Sequence, residues 1–558
     1  MSLEKNDDIV HIEGDGTSHP IDAEEVQRLG DLLDAARKAT ESEHKMTVWQ
    51  AVKRYPKASA WSIAISFGVV MEGFDVVLLG NFYAYPEFQR TFGVLQPSGD
   101  YQIPAPWQAG LSNASACGSI IGLMLNGYLA ERIGYRYTMI ASLAWLACFI
   151  FLFFFAKSLG MLVAAEVLCG IPWGILQTLT TSYASEVAPL ALRGFLTTWV
   201  NACWGIGQLL SVGILRGLLS KTYLGQWGWR IPYALQWIWP VPLILVSIFA
   251  PESPWWLVRK GRIDEARQSL ARLTSRTVSG QTDDFDIDQT VAMMQHTNLL
   301  ERRLYAGASY IDCFKGVNLR RTEISVGCWA VQVLSGVALP GSAYFLQSAG
   351  LPTKDAFTLT MCNLSINIFG VMIAWALMGW GIGRRSLYLY GCFAMNIVLW
   401  IVGGIGFIGT EASLWAIGGL LLGWQIGYQF TLGTVCFSLI TEFPSRRLLI
   451  KTVNIGRAAY NLTNIIFGSF TPFMINPSAW DWGTKASSRD NCQTAFFAAG
   501  MNTLALIWIY FRLPEPSGLS YAEIDKLFEE RIPARQFQKH RVVAVEAEDV
   551  GVVEAKHP

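Results

Sequence analysis

The sequence has little charge. Of its 558 residues 15% are charged and 52% are hydrophobic, whereas soluble domains carry roughly 25% charged residues. Much of the protein surface therefore cannot face water. The formal net charge is zero, so the overall charge gives no support for binding nucleic acid. We expect a membrane protein that is surrounded by a lipid bilayer.

Histidine is rare, and cysteine lacks the spacing of a metal site. The six His lie outside the apolar runs, and most of the ten Cys lie inside them without a CxxC pair. Such cysteines are typical of packing rather than of disulfides or metal ligands. A phosphate-binding loop and a Ser/His/Asp arrangement are also missing. We therefore expect neither an enzyme nor an ATP-driven pump, and no cofactor.

A cleavable signal peptide is missing as well. The first 45 residues are polar and acidic. We expect them to form a disordered tail that begins in the cytosol.

Long apolar runs, by contrast, recur along the chain. A spanning helix needs roughly 20 mostly apolar residues. Twelve runs meet this requirement: 61–85, 107–130, 137–156, 160–184, 196–219, 229–250, 324–349, 357–380, 386–408, 413–440, 449–474 and 492–512. The polar residues 251–323 separate the sixth run from the seventh and show helical patterning at 264–273 and 287–304.

These runs predict an all-α membrane protein with twelve transmembrane helices in two six-helix bundles. The predicted parts are an N-terminal tail, a first bundle, an intracellular helical loop, a second bundle and a C-terminal tail: 1–58, 59–250, 251–323, 324–512 and 513–558. Lys and Arg concentrate on the side of the predicted helices that holds both termini, which predicts that both termini are cytoplasmic. We expect a monomeric, multi-pass protein of the plasma membrane.

Loop motifs repeat at matching places in the two halves. Residues 131–136 and 381–385 are both turns with Gly and Arg, and Glu186 and Glu442 both precede a Pro and an Arg. This correspondence is typical of a transporter built from two parallel repeats. The predicted cytoplasmic gate consists of Arg132, Arg136, Glu186, Arg193, Glu252, Arg384, Arg385 and Glu442. The alternative is that these Arg only obey the positive-inside rule.

Further motifs resemble those of a known family. Residues 251–257 read PESPWWL, and Arg259, Lys260, Gly261 and Arg262 follow. This element resembles the PESPRWL signature of the sugar porter family in the major facilitator superfamily. Finer motifs resemble the fungal maltose/α-glucoside permease branch: 71–75, 80–83, 101–104, 170–174, 456–461 and 518–529. The resemblance implies an importer that couples an α-glucoside to protons.

Four charged residues fall inside the predicted spans. They are Glu72, Asp75, Glu166 and Arg457. Because a charge at the bilayer centre costs about 2.5–3.5 kcal/mol or more, such residues need a reason to be there. We predict Asp75 as the proton carrier, Glu72 as the second candidate and Glu166 as a modulator, with Arg457 neutralising one carboxylate. A static ion network is the alternative.

The resemblance supports Asp75, since sugar porters have an acid at this position of helix 1. Three positions depart from the family. Many sugar porters have Arg in place of Glu166, the α-glucoside branch often has an acid in place of Ser119, and Asn is common in place of Ala338.

Amides and aromatic residues within the spans predict the sugar site, because transporters bind sugars with such groups near the midplane. The candidates are Gln208, Gln332, Asn363, Asn367, Tyr344, Trp424 and Gln425. The alternative is that the amides only join helices. Two functional alternatives to a proton symporter also remain, a facilitative sugar uniporter and a sugar sensor that does not transport.

Overall fold

The computed structural model describes residues 3–6, 9–12, 23–95, 101–275, 287–304, 309–336, 353–408, 411–475 and 493–539. Helices dominate these ranges. Two short antiparallel hairpins accompany them, one formed by β1 (Leu3–Asn6) and β2 (Ile9–Ile12), the other by β3 (Val94–Leu95) and β4 (Tyr101–Gln102).

The first half contains helices at each predicted run and three more outside the runs. In chain order they are α1 Ala23–Lys45, α2 Val48–Arg54, α3 Pro56–Ser66, α4 Gly68–Phe82, α5 Pro86–Phe92, α6 Ala105–Ile133, α7 Tyr135–Phe154, α8 Leu159–Val187, α9 Leu190–Leu218, α10 Trp227–Leu235 and α11 Pro240–Phe249. Helices α1, α2 and α5 are the three outside the runs. The first and sixth predicted spans are each divided in two. The sixth divides at Pro240, which lacks a backbone N–H and therefore begins a new helix.

The loop between the halves and the second half are also helical. Their helices are α12 Pro254–Arg259, α13 Ile263–Leu273, α14 Ile287–Leu304, α15 Gly316–Leu334, α16 Thr353–Gly379, α17 Arg384–Gly406, α18 Glu411–Tyr428, α19 Thr434–Glu442, α20 Leu449–Ile475, α21 Gln493–Arg512 and α22 Tyr521–Glu529. Helices α13 and α14 coincide with the two helical patterns predicted in the loop.

Eight helical segments in the described part of the chain are long and apolar enough to cross a membrane. The other four predicted spans overlap α6, α15, α18 with α19, and α20, which do not meet that criterion; residues 337–349 of the seventh span lie outside the described residues. Helix α20 carries Lys451 and Arg457, and a helix that lines a polar cavity needs fewer apolar residues than one that faces lipid. The count of twelve and the two-bundle layout stay predictions.

The N-terminal tail corrects one expectation. The sequence predicts disorder up to residue 45, but α1 is a helix that packs against α14. Ala36 and Ala39 are buried on one face of α1, and Glu41 pairs with Arg37 and Lys45 one turn away on either side. Pairs at this spacing support a helix even in a polar sequence, and the small buried face is enough to dock it.

Small residues let α6 and α8 approach each other closely. Ser119 Oγ donates to the carbonyl oxygen of Gly170 at 3.3 Å. A Cβ atom added to Gly170 would lie 2.7 Å from the carbonyl oxygen of Ser115 and 3.0 Å from the Cα atom of Gly118. The backbones therefore touch, as they do where glycine forms a helix interface in membranes.

A single methyl group tests this contact. We expect Gly170→Ala to destabilise the protein by about 1–3 kcal/mol, because the backbone of α6 must move away. Thermal unfolding of the purified protein measures the effect. Gly160→Ala is the matched control, since it lies on the same helix with no atom within 4 Å of an added Cβ. Equal stability of the two variants would contradict the close packing.

Candidate functional site

A polar cavity lies between helices of the two halves. Its wall includes amides, aromatic rings and one ion pair: Glu72, Gln177, Asn201, Trp204, Gln332, Tyr428, Gln429, Phe437, Arg457 and Tyr460. The first four belong to the first half and the other six to the second half. Both halves therefore contribute polar groups to one cavity.

Glu72, Gln177 and Arg457 form a chain of hydrogen bonds across this cavity. The Gln177 side-chain amide donates to Glu72 Oε1 and accepts from Arg457 Nε at 2.7 Å. The Arg457 guanidinium also lies 3.7 Å from Glu72 Oε1 and stacks on the rings of Trp329 and Tyr460. One amide thus joins a carboxylate of the first half to a cation of the second.

The break between α18 and α19 holds Gln332 in the wall. Residues Gln429–Gly433 form a π-helical segment, in which backbone carbonyls lose their usual partners. Gln332 Nε2 donates to the carbonyl oxygens of Leu432 at 3.2 Å and Gly433 at 3.1 Å. The side chain of Gln332 is therefore fixed, and π segments of this kind often occur at functional sites.

The other predicted sugar-binding residues lie around the cavity or elsewhere. Gln425 Nε2 donates to Asn367 Oδ1 at 3.2 Å, and the Trp424 ring stacks on Tyr428 of the wall. Gln208 is buried on α9, and Asn363 lies on α16. Like Asn367, Trp424 and Gln425, these two residues are not part of the wall, so Gln332 is the one predicted sugar-binding residue within it among the described residues. Tyr344 and Ala338 lie outside the described residues.

Several residues of the wall were missed from the sequence. The clearest is Gln177, an amide in the apolar run of α8. A polar side chain within an apolar run could have identified Gln177 as a candidate. Its partners, however, lie on α4 and α20, and the sequence alone does not show that these helices meet α8. Asn201, which donates to Thr434 Oγ1 at 3.2 Å across the halves, was missed for the same reason.

Asp75 and Glu166 form a separate cluster within the first half. Both side chains are completely buried, and the two carboxyl groups interact electrostatically. Gln236 donates to Asp75 Oδ1, while Asp75 Oδ2 and both oxygens of Glu166 lack a hydrogen bond within the described part. Ser115 lies beside Glu166. The titratable groups that interact with this pair are the neutral side chains of Tyr83, Cys169 and Tyr233.

The four charged residues therefore fall into two groups. Arg457 accompanies Glu72 at the cavity, whereas Asp75 interacts with Glu166, and among the described residues no cation acts on either of them. Glu72 and Asp75 nevertheless lie one turn apart on α4. A buried pair of carboxyl groups can hold one charge at moderate cost but not two, so this pair is suited to bind a proton.

Two glutamates close matching loops in the two halves. Glu252 accepts the backbone N–H groups of Tyr135 at 3.0 Å and Arg136 at 3.2 Å, and Glu515 accepts those of Arg384 at 2.9 Å and Arg385 at 3.0 Å. In each case a carboxylate caps the first turn of a helix. Burial raises the pKa of both Glu252 and Glu515.

In the first half this contact depends on Gly134. It has φ of +90°, and a Cβ there would collide with the Glu252 carboxylate. Only glycine fits this position without strain.

The remaining gate candidates other than Arg193 have partners within their own half or its loop. Glu186 accepts from Arg259 at 3.0 Å and from Ser253, and Glu442 pairs with Arg384 at 3.0 Å. Arg132 and Arg136 stack on neighbouring tyrosines of the same half. Arg385 donates to the Tyr510 carbonyl oxygen.

Other contacts join the halves at this end of the molecule. Lys451 pairs with Glu131, and Arg446 donates to the Ser185 carbonyl oxygen at 3.3 Å. Asn126 Nδ2 donates to Asn454 Oδ1 at 3.3 Å. The ring of Tyr521 on α22 lies between the guanidinium groups of Arg193 and Arg446. The end that carries the gate candidates is therefore closed.

The sequence is similar to those of known sugar transporters. The sugar (and other) transporter family matches residues 61–528. The chain is 40% identical to the general alpha-glucoside permease of Saccharomyces cerevisiae over 518 residues, which cover 92% of this chain and 82% of the permease. It is also 40% identical to the maltose permease MAL31 of the same yeast over 548 residues, with 96% and 86% covered.

A solved structure has the same fold. The major facilitator superfamily proton:xylose symporter XylE, bound to 6-bromo-6-deoxy-D-glucose, superposes with a TM-score of 0.72 at 19% identity, covering 85% of this chain and 99% of XylE. At this identity the likeness concerns the fold alone. The family match and the two permeases decide the assignment: the chain belongs to the sugar (and other) transporter family of the major facilitator superfamily.

Proposed function

We propose that this protein imports an α-glucoside such as maltose together with protons, by alternating access. The observation that carries the proposal is the cavity in which Gln177 joins Glu72 of the first half to Arg457 of the second. The names of the two yeast permeases supply the substrate class, and the name of XylE supplies proton symport as the precedent in this fold.

The cavity wall suits a sugar chemically. Trp204, Tyr428 and Tyr460 offer ring faces for the C–H surface of a pyranose. Gln177, Gln332 and the other amides offer both donors and acceptors for hydroxyl groups. A hydroxyl that replaces Gln177 as the partner of Glu72 or Arg457 would link sugar binding to the charge of the cavity.

The proton site is assigned to Asp75 with Glu166. Because the pair is buried and has no nearby cation in the described part, protonation of one carboxyl group removes most of the cost of burying it. Asp75 shares α4 with Glu72, one turn away. A small movement of α4 on proton release therefore also moves Glu72 in the wall of the sugar cavity.

The closed end is assigned to the cytoplasm of a plasma-membrane protein with both termini inside. That end carries α13, α14 and the packed tails α1 and α22, and it is rich in Arg, as the positive-inside rule requires. Release of sugar then needs the contacts of Lys451, Arg446 and Asn454 with the first half to break.

Replacement of the proton carrier tests the coupling. We expect Asp75→Asn to abolish accumulation of labelled maltose against a gradient while exchange of internal for external sugar continues, because the amide cannot carry the proton. Accumulation with and without a protonophore measures this in intact cells. Asp355→Asn, at an exposed carboxylate of α16, is the control. Full accumulation by the Asp75 variant, or accumulation insensitive to the protonophore in the unmodified protein, would favour a uniporter.

Removal of one amide tests the sugar site. We expect Gln332→Ala to raise the KM for maltose roughly tenfold, which corresponds to about 1.4 kcal/mol or the loss of one to two hydrogen bonds. Asn396→Ala is the matched control, since this amide of the same half bonds Thr503 instead. Initial uptake rates over a range of maltose concentrations measure both. An unchanged KM for Gln332→Ala would remove this residue from the site.

The ion pair of the cavity allows a test by compensation. We expect Arg457→Gln to lower stability by about 3–5 kcal/mol, because Glu72 would remain buried without its cation. The double variant Glu72→Gln/Arg457→Gln should recover most of this stability and still fail to transport. Thermal unfolding and uptake measure the two effects. A double variant as unstable as the single one would show that the two charges are not coupled.

A further inference from the structure

An exposed stripe of side chains runs along α2 and continues onto α3. On α2 it contains Val48, Trp49 and Val52, which are 40%, 68% and 36% exposed. Tyr55 is the only residue between the two helices. Side chains three or four residues apart share one face of a helix. Exposed positions continue at this spacing into α3: Lys53, Pro56, Lys57, Ala60, Ile63 and Phe67.

The part of the stripe on α3 belongs to a membrane span. Helices α3 and α4 together form the segment Pro56–Phe82, which is long and apolar enough to cross a bilayer. Ile63 and Phe67 are 36% and 39% exposed on it, as side chains that contact lipid are. Because α2 directly precedes this segment, its exposed face lies at the border of the membrane.

The opposite face of α2 fixes the helix at that border. Ala51 is completely buried in a small cluster with residues from the end of α8 and the start of α9: Ala184, Ala188, Leu192 and Leu196. The segment Leu190–Leu218 is itself a candidate span, so α2 lies beside the beginning of a second span. Thr47 and Gln50 form a capping box that orders the first turn of α2.

The stripe is basic at the membrane border. Lys53, Arg54 and Lys57 follow closely on one another, and residues 46–71 contain neither Asp nor Glu. Lys53 Nζ lies 5.5 Å from the centre of the Trp49 ring. Tryptophan is enriched at the level of the lipid headgroups, and lysine near an interface extends its ammonium group toward the headgroups while its stem packs on apolar surface. The charge of this surface is therefore complementary to an anionic lipid.

We propose that the exposed face of α2, together with Lys53 and Lys57, binds the headgroups of anionic phospholipids in the adjoining leaflet. Val48, Trp49 and Val52 supply the apolar contact, and the two lysines supply the attraction that clustered cations next to a span have for anionic lipid. In the orientation given under the proposed function this leaflet is the cytoplasmic one, which is the anionic leaflet. The continuity of the stripe with the lipid-facing side of α3 favours lipid over a protein partner.

The stability of the purified full chain in nanodiscs tests the surface. We expect replacement of part of the phosphatidylcholine by phosphatidylserine to raise the melting temperature, with a smaller increase at high salt. The double variant Lys53→Gln/Lys57→Gln should lose most of this increase while melting like the unmodified protein in phosphatidylcholine alone. Native mass spectrometry of the retained phosphatidylserine should show an apparent affinity roughly tenfold lower or worse, since each cation near an anionic surface contributes about fivefold.

Two other lysines of the same tail provide the matched control. Lys38→Gln/Lys45→Gln removes the same charge from exposed positions of α1, a helix that packs against α14 of the loop. This variant should keep the full effect of phosphatidylserine. An equal loss in the control, an undiminished effect in the Lys53/Lys57 variant, or no effect of phosphatidylserine on the unmodified protein overturns the proposal. Because lipid binding is measured without sugar uptake, its outcome is independent of whether the chain is a proton symporter.

Discussion

The need to keep a buried carboxylate and a buried guanidinium together organises this protein. Glu72 and Arg457 are 3% and 7% exposed, and each would be costly alone in a medium of low dielectric constant. They come from opposite halves of the chain, and Gln177 fills the space between them. The rings of Trp329 and Tyr460 cover the remaining face of the guanidinium. The halves therefore meet around a polar centre, and the cavity is the space that this centre leaves open.

The backbone around the cavity positions the side chains of this polar centre. A close approach of α4 to α9 at Gly73 and Gly207 fixes the helix that carries both Glu72 and Asp75. On the opposite side the π segment at Gln429–Gly433 turns two carbonyl oxygens toward Gln332. Irregular backbone is tolerated at membrane depth where it lines a cavity. The π segment is one such irregular part, and it contributes Gln429 and Gly433 to the cavity wall.

Features that depend on residue type alone could be predicted from the sequence. Apolar runs located the helices, and the charges within them pointed to Glu72, Asp75, Glu166 and Arg457. Pairing could not be predicted in the same way. Which carboxylate Arg457 accompanies depends on the rotation of α20 against α4, and the roles of Gln177 and Gln236 depend on partners far away in the chain. The order of α1 was missed because its composition is polar, while its docking depends on two alanines and on a partner helix in the central loop.

At the closed end, the bonds within each half differ in kind from the bonds between the halves. Within a half, Glu252 and Glu515 each accept several backbone N–H groups, and Glu186 and Glu442 pair with arginines. Across the halves, Arg446 donates to the Ser185 carbonyl oxygen, and Asn454 Oδ1 accepts from Asn126 Nδ2. In the ion pair of Lys451 with Glu131, the lysine side chain is 7% exposed and the glutamate side chain is 45% exposed, so water reaches one side of the pair. In the proposed transport cycle, opening of this end breaks the contacts between the halves, while the bonds within each half stay intact. The proposed alternating access needs that difference, because each half must move as a unit around the shared cavity.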